Sequence, residues 1–353
     1  MKTSDLVLAC SVWALAGCSS NAADAGSTGG GAEGGEADGA ADAPLADSQA
    51  GDSPVGDAGS RADGGTVDDA GAAACAAAAL ALCTKESTCW PDLVEQLYGD
   101  VQTCAARGAL SCHDELAAPG TGWTASIETA CTDAIVAGSC TDYFDGVLPS
   151  ACLPAAGGSV GALGVCAGTV QCAAGSSCLK ASGSSCGNCT AEATTAGASC
   201  TTADCASGLV CVSGVCAAWV PVGGACGAGN PCSFPNYCAG GICTAGSTLG
   251  ASCTTTSDTC DRTQGLYCRA SSKKCEAYLF ADAGQPCGVL TGGRTVCKGG
   301  GLCMGLSATV TKGTCIPPAK EGAACNVTAG PPCMRPAICA SGVCTLPDSS
   351  TCH

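Results

Sequence analysis

The sequence predicts a small disulfide-rich protein: an all-α disulfide-stapled head followed by a linear array of about six four-cysteine modules with short β-hairpins. Three observations lead to this fold class. The chain has 353 residues, of which 36 are Cys and only 3% aromatic, so the material for one large core is missing. A helical period is confined to residues 72–152. After residue 160 that period vanishes and a four-cysteine pattern recurs.

Charge is distributed unevenly along the chain. Residues 19–74 hold 11 acids against Arg61 alone, net −10, and residues 75–152 hold ten acids against two bases, net −8. Residues 153–353 hold eight acids against ten bases, net +2. An acidic chain repels phosphate backbones, so nucleic-acid binding is not expected.

The first 18 residues have the pattern of an export signal. Lys2 precedes an apolar stretch at 6–16, which is too short to span a bilayer, and the string LAGC ends at Cys18. This string resembles the lipobox of bacterial lipoproteins, and the resemblance implies cleavage before Cys18 and its diacylation. Two alternatives stay open, an ordinary cleaved signal with a chance cysteine and an uncleaved anchor. Ser19, where an Asp would retain a lipoprotein at the inner membrane, favours the outer membrane and exposure at the cell surface.

Residues 19–71 have the composition of a disordered acidic tether. They contain no aromatic residue and consist mostly of Ala, Gly, Asp, Ser and Glu. Such a segment cannot bury enough apolar surface to offset its chain entropy. We expect it to hold the folded part clear of the membrane.

The cysteine density indicates an oxidising compartment, with 34 Cys in the 279 residues from Cys75 onward. Zinc is the competing explanation for so many thiols. Only one C-x2-C string exists, Cys186 to Cys189, and the sole histidines are His113 and His353. Structural disulfides are therefore expected, with no metal and no cofactor.

Residues 72–152 form the predicted helical cysteine-rich domain. An Ala/Leu run covers 72–83, Asp100 is a plausible N-cap for a second helix, and Ser126 opens a third. Two cysteine pairs there share a C-x7-C spacing, and a rise of about 12 Å over eight helical residues prevents either pair from closing on itself. An antiparallel hairpin would instead join Cys75 to Cys112 and Cys83 to Cys104. The order among the remaining cysteines stays open: Cys89, Cys131, Cys140 and Cys152.

Residues 153–353 form the predicted module array. We number the modules 1 to 6 in chain order, and module 1 carries one supernumerary cysteine, Cys186. Cys186 and Cys352 lie outside the four-cysteine scheme, and three partners stay open for them: each other, a displaced Cys152 or another chain. The cysteine sets are Cys166, Cys172, Cys178 and Cys189; Cys200, Cys205, Cys211 and Cys216; Cys226, Cys232, Cys238 and Cys243; Cys253, Cys260, Cys268 and Cys275; Cys287, Cys297, Cys303 and Cys315; Cys325, Cys333, Cys339 and Cys344.

In several modules the segment between the third and fourth cysteines reads as a minimal hairpin, with Ser213 and Gly214, Gly240 and Gly241, or Ser341 and Gly342 in the turn. A unit of about 25 residues cannot fold on its core alone, so its two disulfides hold the fold. Both hairpin cysteines project from one face, which favours first-to-third and second-to-fourth pairing, although sequence alone does not fix the connectivity. Under that pairing Cys200 bonds Cys211, Cys205 bonds Cys216, Cys226 bonds Cys238 and Cys232 bonds Cys243. The near-constant spacing between modules suggests a rod.

Over residues 153–345 this cysteine pattern resembles the domain named after the N-terminal cysteine-rich region of Dickkopf proteins, as found in uncharacterised lipoproteins of Gram-negative soil bacteria. The layout of lipobox, acidic tether, helical head and array is also similar to that bacterial group. The spacings of modules 4 and 5 depart from the regular pattern. The group has no assigned activity, so the resemblance implies no catalytic residue.

Two patterns could carry chemistry. Cys186 to Cys189 spell CGNC, like a thioredoxin active site, but no βαβ pattern surrounds them. A cluster of bases in module 4 could bind an anionic polymer, although an ordinary charged loop explains it too: Arg262, Arg269, Lys273 and Lys274.

The leading functional hypothesis is therefore a non-enzymatic, membrane-anchored surface lipoprotein whose disulfide-stapled rod presents a binding, adhesion or spacer surface. Its expected partners are the membrane, through the lipid anchor, and an extracellular protein or polysaccharide. One alternative is an inhibitor of extracellular proteases that uses the long loop at 304–314. Another is a thiol-disulfide redox protein that uses Cys186 and Cys189.

Overall fold

A computed structural model describes residues 68–181, 184–254, 259–307, 310–326 and 329–352. The expected signal at 1–18, with Cys18, and the tether up to residue 67 lie outside the described residues. None of the helices in the described ranges combines the length and the apolarity that crossing a bilayer requires.

The described head contains five α-helices. Asp100 caps the third helix as predicted, because its carboxylate accepts a hydrogen bond from the Thr103 amide. The fourth helix begins at Ala125 with Thr124 as its cap, one residue before the predicted start at Ser126. The second and fifth helices were not predicted, since segments of 8 and 5 residues are too short to show a helical period. The helices are α1 Asp69–Cys89, α2 Pro91–Tyr98, α3 Val101–Ala117, α4 Ala125–Ala137 and α5 Cys140–Phe144.

Disulfides tie these helices together. Cys75 bonds Cys112 and Cys83 bonds Cys104, the same pairs that the antiparallel hairpin of α1 and α3 predicts. Cys75 and Cys112 are both 0% exposed, so this cystine is itself part of the core. The four cysteines whose order the sequence left open pair as Cys89 with Cys140 and Cys131 with Cys152.

The array consists of small sheets, one for each module. Module 1 has three strands in the order β1-β3-β2, and modules 2, 3, 4 and 6 are antiparallel hairpins. Module 5 has five strands in the order β10-β12-β11-β14-β13, because its longer spacing admits a second hairpin and a parallel pairing of β10 with β12. The strands are β1 Val165–Cys166, β2 Ser176–Lys180, β3 Gly187–Ala191, β4 Leu209–Val212, β5 Val215–Ala218, β6 Tyr237–Ala239, β7 Ile242–Thr244, β8 Leu266–Arg269, β9 Lys274–Ala277, β10 Leu279–Ala281, β11 Pro286–Leu290, β12 Gly293–Cys297, β13 Leu302–Met304, β14 Lys312–Ile316, β15 Ile338–Ala340 and β16 Val343–Thr345.

All six modules use first-to-third and second-to-fourth disulfides. The hairpin register explains this pairing. Cys211 lies directly opposite Cys216, so both sulfurs leave the same face toward the preceding loop. The turn residues Ser213 and Gly214 both have positive φ, 51° and 82°, as a two-residue turn of this type requires. The predicted fold class is thus confirmed as a disulfide-stapled helical head followed by a series of small disulfide-linked hairpin modules.

The prediction of a rod, in which each module touches only its neighbours, is wrong. A module of this size buries little apart from its own cystines, so its remaining apolar and polar contacts are made with the helices. Each of the six modules contacts the head: module 1 through Val170 to Gly122, module 2 through Gly208 to Gly146, module 3 through Phe234 to Phe144, module 4 through its 3-10 helix Arg262–Gln264 to α2, module 5 through Lys298 to Glu95 and module 6 through Met334 to Arg107.

The C-terminal segment closes the array onto its beginning. Cys352 bonds Cys186 across a sequence separation of 166, which links the residues after module 6 to module 1. Beside this disulfide, Ser349 donates its amide to the Asp114 carboxylate at 3.0 Å and its hydroxyl to the Asp114 carbonyl at 2.9 Å. We call Cys186–Cys352 the clasp, because it covalently joins the two ends of the module series.

Aromatic packing fixes modules 2 and 3 to the end of α5. The ring of Phe234 is stacked on that of Phe144 with 4.1 Å between centroids, and Phe234 is only 9% exposed. The Asp145 carboxylate accepts the Phe234 amide at 2.8 Å, and its carbonyl accepts the Trp219 indole N–H at 2.7 Å. Burial raises the pKa of Asp145 to about 6, although the Phe234 amide opposes that rise.

Candidate binding surface

The hairpin of module 4 places charged and aromatic side chains on one face. Arg269 lies directly opposite Lys274, and Tyr267 lies directly opposite Glu276. Residues two apart on a strand share a face, so these four side chains leave the same side of the hairpin. The disulfide cysteines Cys268 and Cys275 occupy the other side.

Module 5 packs against this face. Tyr267 and Tyr278 lie with ring centroids 4.9 Å apart, and the Tyr267 hydroxyl accepts the backbone amide of Arg294 at 2.7 Å. The Arg294 guanidinium lies over the Tyr278 ring, 5.6 Å from its centroid. Arg269 donates to the Thr291 carbonyl at 3.1 Å. The junction of the two modules therefore brings the bases of module 4 next to a base of module 5.

The bases at this junction differ in their electrostatic partners. Arg269 forms an ion pair with Glu276 at 2.9 Å. The Ser272 hydroxyl, and then Arg269, lower the pKa of Glu276, so this carboxylate stays charged as a partner. In contrast, Lys273, Lys274 and Arg294 are exposed, and no carboxylate among the described residues lies within ion-pair distance of them. We call these three residues the cationic rim.

The cationic rim differs from the cluster that the sequence predicted. Arg262 belongs to the 3-10 helix that packs against α2, so it lies outside the two hairpin strands that carry Arg269 and Lys274. Arg294 was missed because it lies 20 residues beyond Lys274 in the next module, and only the contact of β9 with β12 brings the two together. A signal available in the sequence was the position of Arg294 next to Gly292 and Gly293, which is typical of a tight turn.

The CGNC string is not a redox-active pair in this structure. Cys186 belongs to the clasp, and Cys189 bonds Cys172 inside module 1. A thioredoxin-like site needs its two cysteines bonded to each other, so the redox interpretation is wrong. Several cysteine triplets lie close enough to hold a metal, but their sulfurs are all consumed by disulfides, as in module 4 with Cys253, Cys260 and Cys275.

The loop proposed for protease inhibition connects β13 to β14 in module 5. Its described residues include Leu306 and Val310, two exposed apolar side chains on the same loop. Ser307 donates its amide to the Val310 carbonyl at 3.0 Å. The cystines at Cys303 and Cys315 hold the two strands that carry the loop.

Comparison with known protein families matches part of the chain. A family model described as a domain of unknown function, DUF7107, matches residues 199–245. No curated protein and no solved structure matches the chain. The matched segment contains modules 2 and 3, the two modules that pack on the end of α5. The chain is thus similar to that family over two modules.

No cysteine in the described ranges is free. The many disulfides indicate an oxidising, extracellular location, since such bonds are rare where thiols are kept reduced. A surface built on these modules is held in place by cystines rather than by a large core.

Proposed function

We propose that the protein is a non-enzymatic, lipid-anchored surface protein of the bacterial outer membrane whose modules present a binding or adhesion surface. The observation that carries this proposal is the attachment of every module to the head together with the clasp, because such a frame holds exposed side chains in fixed relative positions. A rigid frame lowers the ordering cost of binding a partner. No free cysteine remains in the described modules, so they offer no dithiol for the redox alternative.

The anchor and the destination rest on the sequence. The string that ends at Cys18 resembles a lipobox, and Ser19 favours the outer membrane. The cysteine spacing resembles that of Dickkopf N-terminal domains in lipoproteins of Gram-negative soil bacteria. A long acidic segment between Cys18 and the head would let the modules stand away from the bilayer.

Cys18→Ser is expected to move the full chain from the membrane fraction to the soluble fraction. A diacylglyceryl group carries two long chains, whereas a tether of Ala, Gly and Asp has no membrane affinity of its own. The measurement is fractionation of a Gram-negative host, followed by quantitative blotting. Cys10→Ser is the matched control, because it removes a cysteine from the same signal and leaves Cys18 in place. Equal membrane partitioning of Cys18→Ser and the parent protein would remove the lipoprotein proposal.

A second candidate function is inhibition of an extracellular protease by the β13–β14 loop. The exposed pair Leu306 and Val310 favours it, since a disulfide-held loop with apolar side chains can enter a protease specificity pocket. If the loop inhibits, Leu306→Asp should abolish the inhibition measured with a panel of serine and metalloproteases, while Leu249→Asp, at an exposed leucine between modules 3 and 4, should leave it unchanged. Absence of inhibition by the parent protein at micromolar concentration would exclude this candidate.

A further inference from the structure

We propose that the cationic rim, Lys273, Lys274 and Arg294, binds an acidic polysaccharide through the carboxylate or sulfate groups of its sugars. This inference deepens the proposed function and rests on it, since it names the partner class of the displayed surface. Its starting point is electrostatic. In a chain with a formal net charge of −16, three exposed bases that have no ion-pair partner among the described residues lie at one junction of modules.

The geometry of the junction keeps the three bases together. Lys274 is held opposite Arg269 by the strand register, and Lys273 closes the turn between the two strands with an amide hydrogen bond to the Arg269 carbonyl at 2.8 Å. Arg269 in turn donates to the Thr291 carbonyl, which fixes the hairpin turn of module 5 that precedes Arg294. The Tyr278 ring, which packs against Tyr267, lies beneath the Arg294 guanidinium and restricts it. Bases that are already positioned lose less freedom when an anion binds.

Arg269 is not counted among the bases that would bind the anion. Its charge is balanced by Glu276, which also accepts a hydrogen bond from Ser272 at 2.8 Å. The ion pair of Arg269 and Glu276 has no net charge, so the net positive charge at this junction comes from Lys273, Lys274 and Arg294. The acidic remainder of the chain acts on the rim only weakly, because the Debye length at physiological ionic strength is about 8 Å.

The surroundings of the rim favour a polysaccharide over single-stranded nucleic acid. Single-stranded nucleic acid needs free aromatic faces on which bases stack, but Tyr267 is buried, and the Tyr278 ring packs against Tyr267 and lies beneath the Arg294 guanidinium. The exposed neighbours of Arg294 include two apolar side chains, Val289 directly opposite it and Leu279 next to Gly293. Repeated carboxylates or sulfates along a sugar chain match several exposed cations and require no stacking face.

The test measures binding of the full chain to immobilised polygalacturonate and dextran sulfate, with neutral dextran as the uncharged probe. Binding is expected to both acidic polymers, to weaken with added salt and to be absent on neutral dextran. Lys274→Gln combined with Arg294→Gln should lower the affinity about tenfold or more, since two charge-assisted contacts are lost. Lys273→Gln combined with Lys274→Gln should also weaken binding, and this variant leaves the contact of Arg294 with Tyr278 intact.

The matched control is Lys312→Gln combined with Lys320→Gln, which removes the same charge. Lys312 and Thr295 both lie opposite Gly288, on its two neighbouring strands, so they share one face of the sheet. Arg294 precedes Thr295 on β12 and therefore projects from the other face. This control should bind like the parent protein. Equal losses in the control and in the rim variants, or equally tight binding of single-stranded DNA, would overturn the proposal. Because binding is measured with the purified chain and needs no membrane, its failure is distinguishable from a failure of the Cys18→Ser fractionation.

Discussion

Acidification from about pH 8 to about pH 5 is expected to increase the free energy of unfolding. Buried carboxyl groups in the head cause this effect. Burial raises the pKa of Glu86 to about 7, against the opposing charge of Arg335, and raises that of Asp145 to about 6. Glu115 follows the same direction, with its pKa raised to about 8 by burial and then by the neighbouring carboxylates of Glu128 and Asp114.

The sign follows from proton binding. A carboxyl whose pKa is higher in the folded than in the unfolded protein holds its proton more tightly when folded, so its contribution to stability is complete below the unfolded value and is lost as the pH rises through the folded value. For Glu86, which is 2% exposed, the interval runs from 4.5 to about 7 and is worth about 3 kcal/mol. Glu115 is more exposed to solvent than Glu86, so we expect a smaller contribution from it to the pH dependence of stability.

Guanidinium unfolding followed by tryptophan fluorescence at the two pH values measures the effect. Glu86→Gln and Asp145→Asn should each flatten the pH dependence, because a neutral amide replaces the group that titrates. In Asp145→Asn the side-chain oxygen can still accept the Phe234 amide. Asp133→Asn, at an exposed position of α4, is the control and should keep the parent's dependence. Greater stability at the higher pH, or an unchanged slope in Glu86→Gln, would contradict the assignment.

Local geometry explains what the sequence could predict. A disulfide pairing can be predicted when one short element fixes where two cysteines lie. The hairpin of module 2 places Cys211 directly opposite Cys216, so both sulfurs leave the same face toward their partners in the preceding loop. The same holds for Cys75 and Cys112, since the helical rise forbids closure within a helix and leaves an antiparallel partner. These arguments need no knowledge of distant contacts.

What the sequence could not predict depends on contacts between distant segments. Elimination leaves Cys186 and Cys352 outside the module scheme and allows a bond between them, but no local geometry selects it over a displaced Cys152 or another chain, because the two cysteines lie 166 residues apart. Arg294 joins the cationic rim only because β12 lies against β9. The prediction of a rod was wrong for a related reason. The constant spacing between modules fixes only the length of each linker, whereas the burial of residues such as Phe234 against the head decides where the modules lie.

Replacing both Cys186 and Cys352 by Ser is expected to release the C-terminal segment from the head and from module 1. The chain-entropy relation gives about 5 kcal/mol as the upper limit for a disulfide that closes 166 residues. The true loss is smaller, because the disulfides inside the modules already shorten the free chain within this loop. Without the clasp, the hydrogen bonds of Ser349 to Asp114 are the described polar contacts that remain at this point.

Hydrogen exchange of individual amides measures the release better than a global transition, since a chain of several modules need not unfold in two states. The Ser349 amide should lose its protection in the double variant, while the Phe234 amide, bound to Asp145, should keep it. The matched control replaces Cys200 and Cys211 by Ser, which opens a disulfide of sequence separation 11 and should expose module 2 alone. If the Ser349 amide stays as protected in the clasp variant as in the parent, the non-covalent contacts alone close the array and the clasp is dispensable.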